Sequence, residues 1–214
     1  MADKIPATGK ISEELYLLNL GFVCMYLYKS GDSCIAFDTG MKAADVTKEL
    51  AALGIAASSV SDVVLTHSDS DHVGGLSAFP DAQVYLPKDE VAMIDRTTAR
   101  FFGFIYNKPF GDGYQTLEDG QTVTIAGASI QCIASPGHTA GHMSYLVNGS
   151  VLIAGDILNV AQGKIVMDRK FINIDNKQRE HSIRKLAGLE GVSLLCPMHS
   201  GYTDDFEKAR EGWK

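Results

Sequence analysis

The chain has 214 residues, 45% hydrophobic and 21% charged, an ordinary globular composition with enough apolar side chain for a core in one domain spanning 1–214. Its net charge of −7, with no Lys/Arg cluster, repels phosphate backbones and argues against a nucleic-acid partner. The start, Met1-Ala2-Asp3-Lys4, lacks the apolar segment of a secretory signal, and the most apolar stretch, 15–28, is broken by Asn19 and Gly21 and too short to span a bilayer; no membrane association and a cytoplasmic location are expected.

In chain order, runs rich in β-branched and aromatic residues predict strands at 14–20, 22–28 and 33–37, with turns between them. Val46, Leu50 and Leu53 have helical spacing, so 43–53 is expected to be a helix that stops at Gly54. A short buried strand at 63–66 delivers His67; a strand at 83–86 and a helix over about 88–96 follow. The second half repeats the pattern, with strands at 121–125, 129–134, 143–147 and 150–155, and Asn148-Gly149 as a two-residue hairpin turn. A helix over 177–189, a strand at 192–196 and a helix from about Thr203 complete the chain. Strands with interspersed helices in both halves predict an α/β fold of two packed sheets with helices outside, a four-layer αββα sandwich.

The densest chemistry lies at 66–75, Thr-His-Ser-Asp-Ser-Asp-His-Val-Gly-Gly. His67, Asp69, Asp71 and His72 bring imidazole and carboxylate, the usual donors to a catalytic divalent metal, into one tight loop. Three more polar residues follow apolar strands: His138 in Ser-Pro-Gly-His-Thr, Asp156 after Gly155, and His199 in Pro-Met-His-Ser-Gly. Flanking small and turn-forming residues suit loops that approach a crowded centre. Cys24, Cys34, Cys132 and Cys196 form no Cys-x-x-Cys pair and sit in apolar runs, so buried free thiols are expected.

These loops, with Asp38-Thr39-Gly40, resemble the metallo-β-lactamase-fold superfamily, whose pattern is His-x-His-x-Asp-His, a Gly-His-Thr loop, a Gly-Asp after a strand and a late His. The resemblance covers about residues 14–200 and implies the αββα sandwich with two divalent metal ions in a cleft at one edge. Carried over by position, His67, Asp69 and His138 would bind the first metal, Asp71, His72 and His199 the second, and Asp156 would bridge them. Asp71 and Asp156 are the expected catalytic carboxylates. The implied activity is a glyoxalase II-like hydrolase that uses a metal-activated hydroxide to cleave a small-molecule thioester, ester, lactone or amide.

Asp69 departs from the pattern, which has a second His there. A carboxylate is shorter, harder and negatively charged; zinc is the expected metal, with iron or manganese admitted by Asp69. Two alternatives follow from it: a di-iron oxidoreductase similar to the flavodiiron branch, which has a carboxylate at this place, or a metal-binding member whose first site is weakened. Asp38 is expected to organise the metal loop through hydrogen bonds. His142 is read either as a hydrogen-bonding neighbour of the metals or as the start of a strand, and His181 as a surface residue. Residues 95–114 carry six aromatics between Phe101 and Tyr114 and are read as packing on the sandwich, as a wall or lid over the cleft, or as a homodimer contact. Lys164, Arg169 and Lys170 are read as solvated charges or as a meeting point for an anionic substrate.

Overall fold

Strict alternation along the strands sends apolar side chains to two different cores, and that division builds the layers. In the computed structural model, which describes residues 2–214, the first sheet has the order β1 (Gly9–Lys10), β2 (Leu15–Asn19), β3 (Cys24–Ser30), β4 (Ser33–Phe37), β5 (Val60–Val64), β6 (Gln83–Pro87) and β7 (Tyr114–Leu117). Pairing is antiparallel from β1 to β4 and parallel from β4 to β7. The second sheet runs β14 (Leu194–Pro197), β11 (Val151–Gly155), β10 (Met143–Val147), β9 (Ala128–Ala134) and β8 (Thr122–Ile125), and a small hairpin joins β12 (Asn159–Ala161) to β13 (Lys164–Val166).

On β3, Cys24, Tyr26 and Tyr28 face the core between the sheets, while Met25 and Leu27 face the layer outside the first sheet. Val46 and Leu50 of α1 (Ala43–Leu53) cover that outer face. The second sheet behaves alike: Tyr145 and Val147 point inward, and Leu146 points to a core closed by Ile183 and Leu186 of α4 (Asn176–Ala187). The result is the four-layer αββα sandwich expected from the sequence. Short helices α2 (Ser70–Val73), α3 (Val91–Ile94) and α5 (Phe206–Ala209) complete it. No helix among the described residues is long and apolar enough to cross a membrane.

Several expected boundaries shift. The strand predicted at 63–66 ends at Val64, because the Thr66 N–H bonds to the Asp38 carboxylate (2.7 Å) instead of a neighbouring strand. The helix predicted over 88–96 is a 3-10 turn at Lys88–Glu90 followed by one α turn, stopped by Arg96 in the left-handed region (φ 66°). The helix expected from Thr203 begins at Phe206, because Thr203 bridges back to Leu195 and Asp205 caps the turn. Strands β1, β7, β12 and β13 lie outside the predicted set. Asn148 and Gly149 both have positive φ (47° and 70°), as a type I′ hairpin requires. All four cysteines are free and buried.

Five strands, β4, β5, β9, β11 and β14, release their polar loops at C-terminal ends on one edge of the sandwich. That edge holds the candidate centre.

Candidate metal centre

The loop after β5 supplies His67 and Asp69, and α2 directly behind it supplies Asp71 and His72; the loops after β9, β11 and β14 supply His138, Asp156 and His199. All seven converge. His138 Nε2 lies 3.3 Å from Asp69 Oδ2, and His67 Nε2 lies 3.6 Å from the same oxygen. His199 Nε2 is 3.3 Å and His72 Nε2 3.7 Å from Asp71 Oδ2. Asp156 lies between the two groups: Oδ1 is 3.4 Å from His72, and Oδ2 is 2.9 Å from His199 and 3.5 Å from His138. The donor atoms of His67, Asp69 and His138 fall within one ion's reach, as do those of Asp71, His72 and His199.

Each imidazole is oriented by its other nitrogen. Nδ1 of His72 meets Asp38 Oδ2 (2.8 Å), that of His138 meets Asn173 Oδ1 (2.9 Å), and that of His199 meets the Phe22 carbonyl (2.7 Å). Thr66 Oγ1 donates to Asp38 Oδ2 (2.8 Å), so toward His67 Nδ1 (2.9 Å) it must accept. In all four rings Nδ1 therefore carries a proton and Nε2 turns inward toward the carboxylates. Among the described residues, the buried His67 Nε2, His72 Nε2 and Asp156 Oδ1 have no hydrogen-bond partner. Buried polar atoms are rarely left so, and orphans clustered at one centre mark a position built for a cation.

The electrostatics agree. Burial pushes the Asp156 carboxyl up, but His199 and His72 more than reverse this and hold it well below the ordinary carboxylate range. Burial likewise opposes ionisation of Asp69, where the neighbouring His138, His67 and Arg100 win and hold the carboxyl well below its usual value. His199 shows the converse: burial lowers it, yet Asp156 and Asp71 raise it to about 9.

Asp38 is completely buried, and its oxygens are taken by Thr66 and His72, so it orients the metal loop as expected. His142 proves to be a brace. Its Nε2 accepts the Asp156 backbone N–H (3.0 Å), so Nδ1 donates to Ser135 Oγ (2.9 Å), and the chain of hydroxyls continues through Ser144 to the Ala154 carbonyl. Burial, then the neighbouring His67 and His138 rings, hold the pKa of the His142 imidazole well below the usual value. Gly155 (φ 62°) makes this approach feasible, since a Cβ there would collide with the His142 ring. His181 is exposed, Lys164 pairs with Glu211 at the surface, and Lys170 is exposed. Arg169 instead lines a cavity with His199 and Phe22.

Three functional residues escape the sequence reading. Glu90 is fully buried and ties two metal loops together: Oε2 takes the Ser68 N–H (2.9 Å) and Ser68 Oγ (2.5 Å), while Oε1 takes the Gly141 N–H (3.1 Å) and the Thr139 hydroxyl. Arg100 forks onto Asp69, and Asn107 donates to Ser68 Oγ (2.8 Å) and Asp69 Oδ1 (3.1 Å). Lone polar residues in ordinary surroundings gave no sequence signal. Arg100 and Asn107 belong to the aromatic stretch, which walls a cleft of about 700 Å³ beside Asp69 and Asp71 with Phe101, Ile105, Tyr106 and Phe110.

The sequence model of the metallo-beta-lactamase superfamily matches residues 18–210, a span that includes every residue of this centre. The hydroxyacylglutathione hydrolase of Aeromonas salmonicida is 33% identical over 180 residues, covering 82% of this chain and 60% of the relative. That of Aeromonas hydrophila is 28% identical over 179 residues with the same coverage, so the chain spans about 60% of the length of these curated relatives. Among solved structures, a metallo-beta-lactamase family protein of Thermus thermophilus superposes with TM-score 0.72 at 25% identity, covering 94% of this chain and 78% of the other. A B3 metallo-beta-lactamase with an active-site glutamic acid gives TM-score 0.73 at 16% identity, covering 97% and 86%, a likeness of fold.

Proposed function

The chain belongs to the metallo-beta-lactamase superfamily, whose matched relatives are metallohydrolases, and from that premise we propose that it hydrolyses a small thioester, ester, lactone or amide with divalent metal. One observation carries this reading: four imidazoles, each locked through Nδ1, aim Nε2 at three carboxylates in one buried centre. Donor spacings of 3.3–3.7 Å within the two groups suit tetrahedral coordination at bond lengths of about 2.0–2.2 Å. The residues thus fit two divalent ions, one held by His67, Asp69 and His138, the other by Asp71, His72 and His199, with Asp156 between them. Zinc is the metal proposed first, and the extra carboxylate admits iron or manganese.

Such metals supply Lewis acidity and lower the pKa of a water to near neutrality. The protein contributes the rest. Asp71 lines the cleft, where with Asp156 it would orient the attacking water by accepting its hydrogen bond. Glu90 and His142 hold the loops so that these groups need no rearrangement during reaction. The wall of Phe101, Ile105, Tyr106 and Phe110 receives an apolar acyl portion, and Asn107 and Lys108 offer polar contacts at its edge. The curated relatives are named for hydrolysing a hydroxyacylglutathione, so thioesters are the first class to test.

The test is a panel of acyl thioesters, esters, lactones and amides. Turnover should vanish on chelation, return with added metal, and be lost in Asp156→Ala. A chelated, metal-free protein with full turnover would overturn the proposal.

A further inference from the structure

Arg100 gives one half of the centre a cation of its own. Its side chain is 2% exposed, and it meets Asp69 as a fork: Nε lies 2.7 Å from Oδ1 and 2.9 Å from Oδ2, and Nη2 lies 2.7 Å from Oδ2. Nη2 also sits 3.2 Å from His138 Nε2 and donates to the Ile172 carbonyl (2.9 Å), while the guanidinium lies over the Phe101 ring at 4.1 Å. The same Asp69 oxygen and the same His138 nitrogen that would hold the first metal are therefore already in contact with a permanent positive charge.

Building on the metal-dependent reading above, we propose that the two half-sites are inherently unequal. Arg100 is the resident cation of the first, and a metal reaches His67, Asp69 and His138 only in competition with it. Asp71, His72 and His199 take a metal with no Arg or Lys to displace.

Two observations carry this. The first is distance. Asp69 Oδ2 and His138 Nε2 are 3.3 Å apart, with Nη2 at 2.7 and 3.2 Å from them. An ion bonded to both at about 2.1 Å therefore lies within about 4 Å of Nη2, whichever side it approaches from. At that separation, in a site little exposed to water, like charges repel strongly. The second is asymmetry. Among the described residues, Asp71 and Asp156 have only histidines as ion-pair partners, and neither Arg nor Lys reaches either carboxylate. The fork also explains how a carboxylate stands where a neutral donor would otherwise be expected, since Arg100 balances the charge that Asp69 adds.

The proposal also couples metal to the cleft wall. Arg100 begins the stretch whose Asn107 grips Asp69 Oδ1, so an ion that takes Asp69 from Arg100 loosens a tether of that wall.

The experiment titrates the chelated full-length protein with zinc, and separately with cobalt(II), by calorimetry and by the visible absorption of bound cobalt. Wild type should bind one equivalent tightly and a second on the order of 100-fold more weakly. His199→Ala should remove the tight equivalent and leave the weak one, which assigns them. Arg100→Met should tighten the weak equivalent by at least about tenfold and leave the tight one unchanged, whereas Arg100→Lys, which keeps the charge, should preserve most of the gap. Two equal equivalents in wild type would overturn the proposal. So would an Arg100→Met protein whose gap is unchanged or wider, the result expected if Arg100 only braces the wall. Should Arg100→Met fail to fold, Arg100→Gln supplies the neutral variant and is read by the same criteria. Turnover is not read, so chelation-resistant activity would refute the hydrolytic reading without touching this one.

Discussion

Replacing Glu90 by Gln tests whether the metal loops are held by one buried clamp. The carboxylate accepts four neutral donors in two pairs, each a backbone N–H and a hydroxyl: Ser68 N–H with Ser68 Oγ, and Gly141 N–H with Thr139 Oγ1. A Gln oxygen can serve one pair, and its NH₂ then faces the other. The hydroxyl there can turn to accept, but the backbone N–H cannot and is left unpaired. An orphaned buried donor costs about 1–3 kcal/mol, and the surviving bonds lose their charge assistance, so a net loss of about 2–4 kcal/mol follows. For a chain of this size that corresponds to a fall in Tm of roughly 5–12 °C. Because the two loops carry His67, Asp69 and His138, metal affinity should also drop by about 10- to 100-fold. Thermal unfolding of the chelated protein reads the first effect, and competition with a chromophoric chelator reads the second. A variant that melts within a degree of wild type and binds metal equally well would refute the clamp.

Three further outcomes are expected. Gly155→Ala forces a side chain into the left-handed region against the His142 ring and should cost about 2–4 kcal/mol, seen as a lower urea midpoint at unchanged slope. In chelated protein His199 is raised from an unfolded value near 6.5 to about 9, so the stability it contributes is complete below 6.5 and lost as pH rises through 9. Metal-bound imidazole is already deprotonated across that window, and the metal-loaded protein should lack this decline in Tm; parallel declines would contradict the assignment. Native protein should react with no equivalent of a thiol-specific disulfide reagent within minutes and with four in denaturant, since every cysteine is buried and burial, opposed only in part by a hydrogen bond with Tyr26, pushes the Cys24 thiol up to about 12.

The parts legible in the sequence share one property: their signal is local. The short apolar runs at 33–37 and 143–147, the helical spacing of Val46 and Leu50, and the Asn148-Gly149 turn each encode a conformation within a few residues, and all recur in the fold. His67 to His72 were legible because loop chemistry concentrates ligands at fixed spacing. Glu90 sits in a Lys-Asp-Glu run that reads as a solvated face, and only its approach to Gly141 across 51 positions makes it a clamp. Arg100 and Asp69 are 31 positions apart, so the charge that offsets the unusual carboxylate was invisible beside it. Strands β1, β7, β12 and β13 are two to four residues long and exist only because a neighbour offers an edge. Thr66 leaves its predicted strand for a similar reason: a side chain 28 positions away outcompetes the ladder for its N–H.

Neither group of ligands belongs to one sheet. His67 and Asp69 descend from the first and His138 from the second; Asp71 and His72 descend from the first and His199 from the second. An ion in either place is therefore a cross-link between the two halves of the sandwich, and the one at His199 closes a loop of more than half the chain. Parting the sheets, the natural first step in opening an apolar core sealed mostly by side-chain packing, would have to break coordinate bonds along with it. Metal should therefore lengthen the lifetime of the folded protein beyond what mass action adds to its equilibrium stability. Proteolysis through global opening should slow in step, and metal starvation would act on the amount of protein as well as on its chemistry.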